Sequence, residues 1–316
     1  MKKLISVIIT IAMITCLFAG CGAPADDGVT KVAIVQQLDH SSLDEIRTAI
    51  EAELTAAGIQ FEVFNGQNDT SVLNQIGAQV VSDNFDAIIP IATLAAQCMV
   101  TAAEGKNIPI IYAACSDPAS AGLTGIPTVT GTSDALNTRF IIDMMLSVNP
   151  DIACVGLLYS NSEVNSETPI AEAKAYLEEK GIDYLEKTGN TTDEIVTAAN
   201  SLVGRCDAVF TPTDNVVMAA EGAVAEILNA AGIPHYAGAD SFVTSGAFAT
   251  CGVNYTELGT YTAKIAIDIL NGGEVPEFHV MEGGIITVNT DTAAALGLDY
   301  VVFSTMAGTV TEVTTG

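Results

Sequence analysis

The sequence repeats itself, and the repeat limits the folds open to it. Val32-Ala33-Ile34-Val35-Gln36 is matched by Val155-Gly156-Leu157-Leu158-Tyr159, and the correspondence continues at an offset of 121–125 residues. Each copy opens with a short apolar run, then a polar loop, an amphipathic stretch and a glycine. In the first copy Ser42 and Glu45 have capping-box spacing, Leu43, Ile46, Ile50 and Leu54 line one face, and Gly58 marks the end. In the second, Pro169 sits in the first turn, Ile170, Ala173 and Leu177 form the stripe, and Gly181 stops it. Helices from about Ser71 to Ser82 and from about Asp193 to Val203 follow. Strands at Asp86–Pro90 and Asp207–Thr211 come next, and Val129-Thr130-Gly131 corresponds to Thr250-Cys251-Gly252. Two copies of such an alternation predict an α/β fold of two Rossmann-like lobes with parallel sheets. Residues 31–131 with about 255–280 would form one lobe, and 136–252 with about 285–316 the other. The segment after Gly273 must supply a last connection and finish one sheet.

Parallel sheets place ligands outside the carboxyl ends of their strands, so two facing lobes predict a site in the cleft between them. The repeat names the loops concerned. They are Gln36–Ser42 with Ser160–Ser166, Ala92–Ala96 with Pro212–Asn215, and Ala114–Pro118 with Gly238–Ser241. Their hydroxyls beside helix N-termini suit a carboxylate, and Asp214, Glu163 or Asp240 suits an ammonium, so a zwitterion uses both. Ser42, Thr93, Ser116, Thr213 and Asp214 are equally suited to capping helices. His40 lies in such a loop, to touch ligand or to brace the loop, whereas His235 sits inside a strand and His279 outside the repeated loops.

Ahead of the repeat, Lys2 and Lys3 precede an apolar run from Leu4 to Phe18, and Ala19-Gly20-Cys21 follows. This pattern reads as a signal peptide over residues 1–20. Residues 21–30 form a tether with a reach of about 15–20 Å. The formal charge of the chain is −27, and loss of the two early lysines leaves the remainder near −29, which repels phosphate backbones and argues against nucleic acid. The cysteines between Cys98 and Cys251 show no metal-ligand spacing and read as small buried hydrophobes. No Gly-x-Ser-x-Gly, Walker loop, His-Glu-x-x-His, Cys-x-x-Cys or Gly-x-Gly-x-x-Gly motif is present, so neither an enzyme nor a cofactor is expected.

Several stretches resemble one family closely. They are Gln36-x-x-Asp39-His40-x-x-Leu43-Asp44, Ala113–Pro118, Val129–Asp134, Leu158–Ser166, Pro212–Asn215, Gly246–Thr250 and Asn254–Gly259. Together they resemble the bacterial ABC-transporter substrate-binding lipoproteins of the tryptophan/tyrosine-binding type, over roughly residues 31–298. Cys21 with the residues before it resembles a lipobox, which implies cleavage ahead of Cys21 and lipid on its sulfur. The resemblance implies a type I periplasmic-binding fold with three hinge strands and an aromatic or apolar amino acid as ligand. It also implies an extracytoplasmic place at the membrane, and an ABC permease with its ATPase as partners. Carried onto matching positions, it makes Gln36, His40, Thr93, Ser116, Asp117, Ser160, Glu163, Asn165, Thr213, Asp214 and Asn215 pocket residues. Ser41 stands where the family usually has Pro and Asp39 where Glu is common, and the chain has no Trp to stack on a ring. A ligand sensor reporting to a membrane receptor, or a binder of a sugar or nucleobase, is the rival reading.

Overall fold

The computed structural model describes residues 30–307 and 309–315; the expected signal segment, Cys21 and the tether before Thr30 lie outside the described residues. Two sheets organise the rest. The first runs in the order β11-β5-β4-β3-β1-β2. Its strands are β1 (Lys31–Gln36), β2 (Gln60–Asn65), β3 (Ala87–Ile91), β4 (Ile110–Tyr112), β5 (Val129–Ser133) and β11 (His279–Val280), every pairing parallel. The second runs β13-β12-β10-β9-β8-β6-β7. It is built from β6 (Cys154–Tyr159), β7 (Asp183–Thr188), β8 (Ala208–Thr211), β9 (His235–Ala237), β10 (Ala249–Gly252), β12 (Ile285–Asn289) and β13 (Thr309–Val313). The repeat thus gives each lobe the same arrangement, with β1 or β6 between its two nearest parallel neighbours. Helices cover both faces of these central strands, so β1 and β3 read as continuous apolar runs that are almost wholly buried.

The helices follow the apolar spacing. In α1 (Ser41–Ala56), Leu43, Ile46, Ile50 and Leu54 are buried, each worth about 1.5–3 kcal/mol of transfer free energy. Asp69 caps α2 (Thr70–Ser82) by accepting from the N–H groups of Ser71 and Val72, so it starts one residue before the sequence reading. Then come α3 (Thr93–Ala102), α4 (Thr138–Val148) and α5 (Glu167–Lys180), the last ended by Gly181 at φ 72°. Thr191 caps α6 (Thr192–Leu202), and α7 (Asn215–Ala230), α8 (Asp240–Thr244), α9 (Tyr255–Leu270) and α10 (Thr290–Leu296) complete the set.

Two expectations need correction. The Ser42–Glu45 capping box does not form. His40 holds the N-cap position, the Ser42 hydroxyl donates to Asp240 at 3.1 Å, and the Glu45 carboxylate accepts from Thr256 on α9. The segment after Gly273 serves both sheets rather than one, because β11 joins the first and β12 with β13 the second.

The chain passes between lobes at three places, residues 134–137, 253–254 and 281–284. The last two explain the one antiparallel pairing among the described strands. β10 runs into a crossover and β12 runs out of one, so side by side they must point in opposite directions. After β10 the chain returns to the first lobe as α9, packed on α1. There Gly259 lies so close to the Ile46 carbonyl that a Cβ would collide with it.

Candidate functional site

A cavity of about 30 Å³ lies where the carboxyl ends of both sheets face each other. The first lobe lines it with His40, Ser42 and Leu43 after β1, Ala92 and Thr93 after β3, Ala114 and Ser116 after β4, Asp134 after β5, and Tyr255. The second contributes Asn165 after β6, Thr213, Asp214, Asn215 and Met218 after β8, and Ala239, Ser241 and Phe242 after β9. Two of these walls hold unusual backbone. Ala92 has φ 75° and Ala114 φ 55°, although neither is glycine. Such conformations cost about 1–3 kcal/mol each and persist where the surrounding structure imposes them.

Hydrogen bonds join the lobes around this cavity. His40 Nε2 meets Asn215 Oδ1 at 3.2 Å, and the hydroxyls of Ser116 and Thr213 lie 3.0 Å apart. Gln37 Nε2 donates to Glu163 at 3.0 Å, and at the rim the Thr168 hydroxyl donates to Asp117 at 2.6 Å.

The acidic groups divide by how their oxygens are used. Asp214 is fully buried and saturated. One oxygen accepts from the N–H groups of Val216 and Val217, capping α7, and the other accepts from Ser160 N–H and the Ser166 hydroxyl, both at 2.7 Å. Two donors on each oxygen leave no place for an ammonium, so the capping alternative describes Asp214. Asp134 is the opposite case. It is 4 % exposed and, among the described residues, accepts from the Ser116 hydroxyl at 2.8 Å, the Tyr255 hydroxyl at 3.4 Å and its own backbone N–H. No basic side chain among the described residues pairs with it. Burial pushes its carboxyl above the ordinary range. Glu163 is also buried, between amides of Gln37 and Asn215; desolvation, with the nearby Asp214 charge, pushes it up to about 7. Burial lowers His40 below its usual value, against the raising effects of Asn215, Asp44 and Asp39. Ser241 Oγ and His40 Nδ1 are buried without a hydrogen-bond partner among the described residues.

Of the residues expected from the sequence, His40, Thr93, Ser116, Asn165, Thr213, Asp214 and Asn215 border the cavity. The other five stand behind it or at its rim. Gln36 is turned to the Leu38 carbonyl, Asp39, Asp44 and Arg47. Asp117 caps a turn at the rim, where it accepts from Ala119 and Ser120. Ser160 bonds Ser162 and Asn190, Glu163 links the lobes, and Asp240 holds Ser42. Asp134, Ser241, Phe242, Met218 and Tyr255 were not among the expected residues. Asp134 carried a signal, because it ends a repeated strand whose counterpart leads straight into a crossover. His235 pairs with Glu221 at 3.0 Å and with Thr211 at 2.8 Å, fully buried in the second lobe. Among the described residues no cluster of metal-ligating side chains exists, and no helix is long and apolar enough to cross a membrane.

Comparison with known proteins places this arrangement. A tyrosine-binding protein of Clostridioides difficile (strain R20291) is 32% identical over 323 residues, covering 94% of this chain and 93% of that protein. The ABC domain from Streptococcus pneumonia, solved in complex with L-Trp, superposes with a TM-score of 0.84 at 28% identity, covering 89% of this chain and 99% of that one. The ligand-free, open structure of a substrate-binding protein with adhesive properties from Clostridium difficile gives 0.69 at 32% identity, over 91% and 100%. The fold is that of a type I periplasmic binding protein. The model of the ABC transporter substrate binding protein family matches residues 31–302, and the chain belongs to that family.

Proposed function

We propose that this protein is the extracytoplasmic solute receptor of an ABC importer, anchored by lipid on Cys21, and that its lobes close about an aromatic or apolar amino acid. The observation that carries the ligand class is Asp134. A carboxylate buried at the cavity wall with no basic partner among the described residues is costly unless a cation meets it, and an α-ammonium supplies one. The Thr93 hydroxyl, at the N-terminal end of α3, suits the carboxylate end. Phe242, Tyr255, Leu43 and Met218 offer an apolar face for a side chain.

The hinge reading draws on two comparisons. The molecule is closer in shape to the L-Trp complex than to the open, ligand-free structure, although the latter is the nearer in sequence. Residues 134–137, 253–254 and 281–284 would be the hinges, and the hydrogen bonds across the cleft would belong to the closed form, which a permease and its ATPase then engage. A thermal-shift screen over the amino acids and a panel of sugars and nucleobases tests this. An amino acid at a hundred times its Kd should stabilise by about 2.7 kcal/mol. Stabilisation by a sugar or nucleobase and by no amino acid would overturn the ligand class.

A further inference from the structure

One hydrogen-bond chain runs from the backbone of α3 to the cavity, and its polarity is fixed at the start. The Leu94 N–H, which can only donate, bonds Gln37 Oε1 at 3.1 Å. Gln37, fully buried, therefore has its Nε2 turned to Asn68 Oδ1 at 2.8 Å and to Glu163 Oε1 at 3.0 Å. The other Glu163 oxygen accepts from Asn215 Nδ2 at 2.7 Å, which turns Asn215 Oδ1 to His40 Nε2. These two contacts are the only side-chain hydrogen bonds of Asn215 among the described residues, so nothing else decides which way its amide faces.

We infer that Glu163, acting through Asn215, sets the tautomer of His40, so that the imidazole carries its proton on Nε2 and offers a bare Nδ1 to the ligand. An ionised carboxylate only accepts, so Asn215 must give it the amide N–H and keep its oxygen for His40. An oxygen facing Nε2 requires Nε2–H, and a neutral ring then has no proton for Nδ1. His40 is a wall of the cavity, and Nδ1 is the one polar ring atom it has left without a partner. A bare, buried Nδ1 with no protein donor is an acceptor, close in kind to the Asp134 carboxylate, and would favour a ligand whose N–H reaches it from the cavity. That last step rests on the amino-acid reading above; the tautomer does not. Glu163 is a positioning residue.

The relay makes a parity prediction. In E163Q, Gln37 still donates, so the new amide must turn its oxygen to Gln37 and its NH₂ to Asn215. Asn215 then flips, its Nδ2 faces His40 Nε2, and the proton moves to Nδ1. The charged groups acting on the relay are Asp214 beside Glu163, and Asp44 and Asp39 beside His40, and E163Q leaves them in place.

The test reads histidine ¹⁵N shifts in the closed molecule without needing a ligand. Ser120 Oγ and Thr168 Oγ1 lie 3.5 Å apart across the rim, so a disulfide in S120C/T168C would hold the lobes together, and loss of both thiols reports it. His40 is identified by the signals missing in H40Q. At pH 8.5 the locked protein should show Nε2–H with bare Nδ1, and the locked E163Q protein the reverse. The same tautomer in both, or Nδ1–H in the protein with Glu163, overturns the inference. The same spectra on unlocked protein saturated with L-tryptophan or L-tyrosine give a second reading where the disulfide does not form. Failure of both amino acids to bind would strike the ligand reading alone, since the locked protein still reports the tautomer.

Discussion

Replacing Asp134 by Asn separates charge from shape at the cavity wall. The amide oxygen still accepts from the Ser116 hydroxyl, so the local hydrogen bond at 2.8 Å survives, while the negative charge is gone. If Asp134 meets the ligand's ammonium, truncation of one partner of a buried, hydrogen-bonded charge pair costs about 2–5 kcal/mol. At about 1.4 kcal/mol per tenfold, Kd should rise by a factor of roughly 30 to a few thousand. The assay is titration calorimetry at pH 7.5 with L-tryptophan or L-tyrosine, whichever stabilises the protein. It is repeated with the des-amino analogue, 3-indolepropionate or 3-(4-hydroxyphenyl)propionate. The two deletions form a cycle. Each alone should cost most of the affinity, and removal of the ammonium from a ligand of D134N should cost little more. Independent, additive losses, or a Kd that D134N leaves unchanged, would refute the pairing.

Other substitutions test the frame. Asp214→Ala removes the α7 cap and the acceptor for Ser160 and Ser166, so urea unfolding should show a loss of roughly 2–5 kcal/mol. Glu221→Ala leaves His235 Nδ1 without its hydrogen-bond partner in a fully buried site and should cost about 1–3 kcal/mol by the same measurement. Asp134, Glu163, Asp214, Glu221 and Asp240 are all pushed above their ordinary values by burial. Each contributes stability that is lost as pH rises through its raised value, while the lowered His40 acts the other way as pH falls through about 6.5. Glu163, pushed up to about 7, dominates above that point, so the Tm of the S120C/T168C protein should increase from pH 8.5 to 7, and E163Q should flatten that slope; a Tm that falls over this range would contradict it.

The repeat made the fold legible because strand and helix periods are written into side-chain order. Val32–Gln36 and Val155–Tyr159 announce buried parallel strands, and position along a parallel strand tells which loops gather at its carboxyl end. That was enough to name the cleft and the loops around it; the family resemblance then implied individual residues, seven of which line the wall. The roles of individual acids were not legible. Asp214 and Asp134 both follow buried strands, yet one is consumed by four donors from its own lobe and the other meets two side-chain hydroxyls. Which donors arrive depends on loops far apart in sequence, and no local pattern records it. Ser42 misled for a similar reason, because its spacing to Glu45 fits a cap while its hydroxyl is taken by Asp240, 198 residues away. The positive φ angles at Ala92 and Ala114 carry no signal at all in a residue type that seldom adopts them.

The late strands have a consequence for synthesis. Neither sheet is whole until residues beyond 278 exist, since β11 closes one edge of the first, and β12 and β13 extend the second past β10. The two lobes cannot mature one after the other as the chain leaves the ribosome, nor can a straight cut in the gene yield either alone. A chain halted before Ile285 would show the bare edge of β10, without the Ile286, Val288 and Phe303 that cover its apolar neighbours. Such an unpaired edge invites pairing with another copy, so nascent or truncated forms should be the aggregating species.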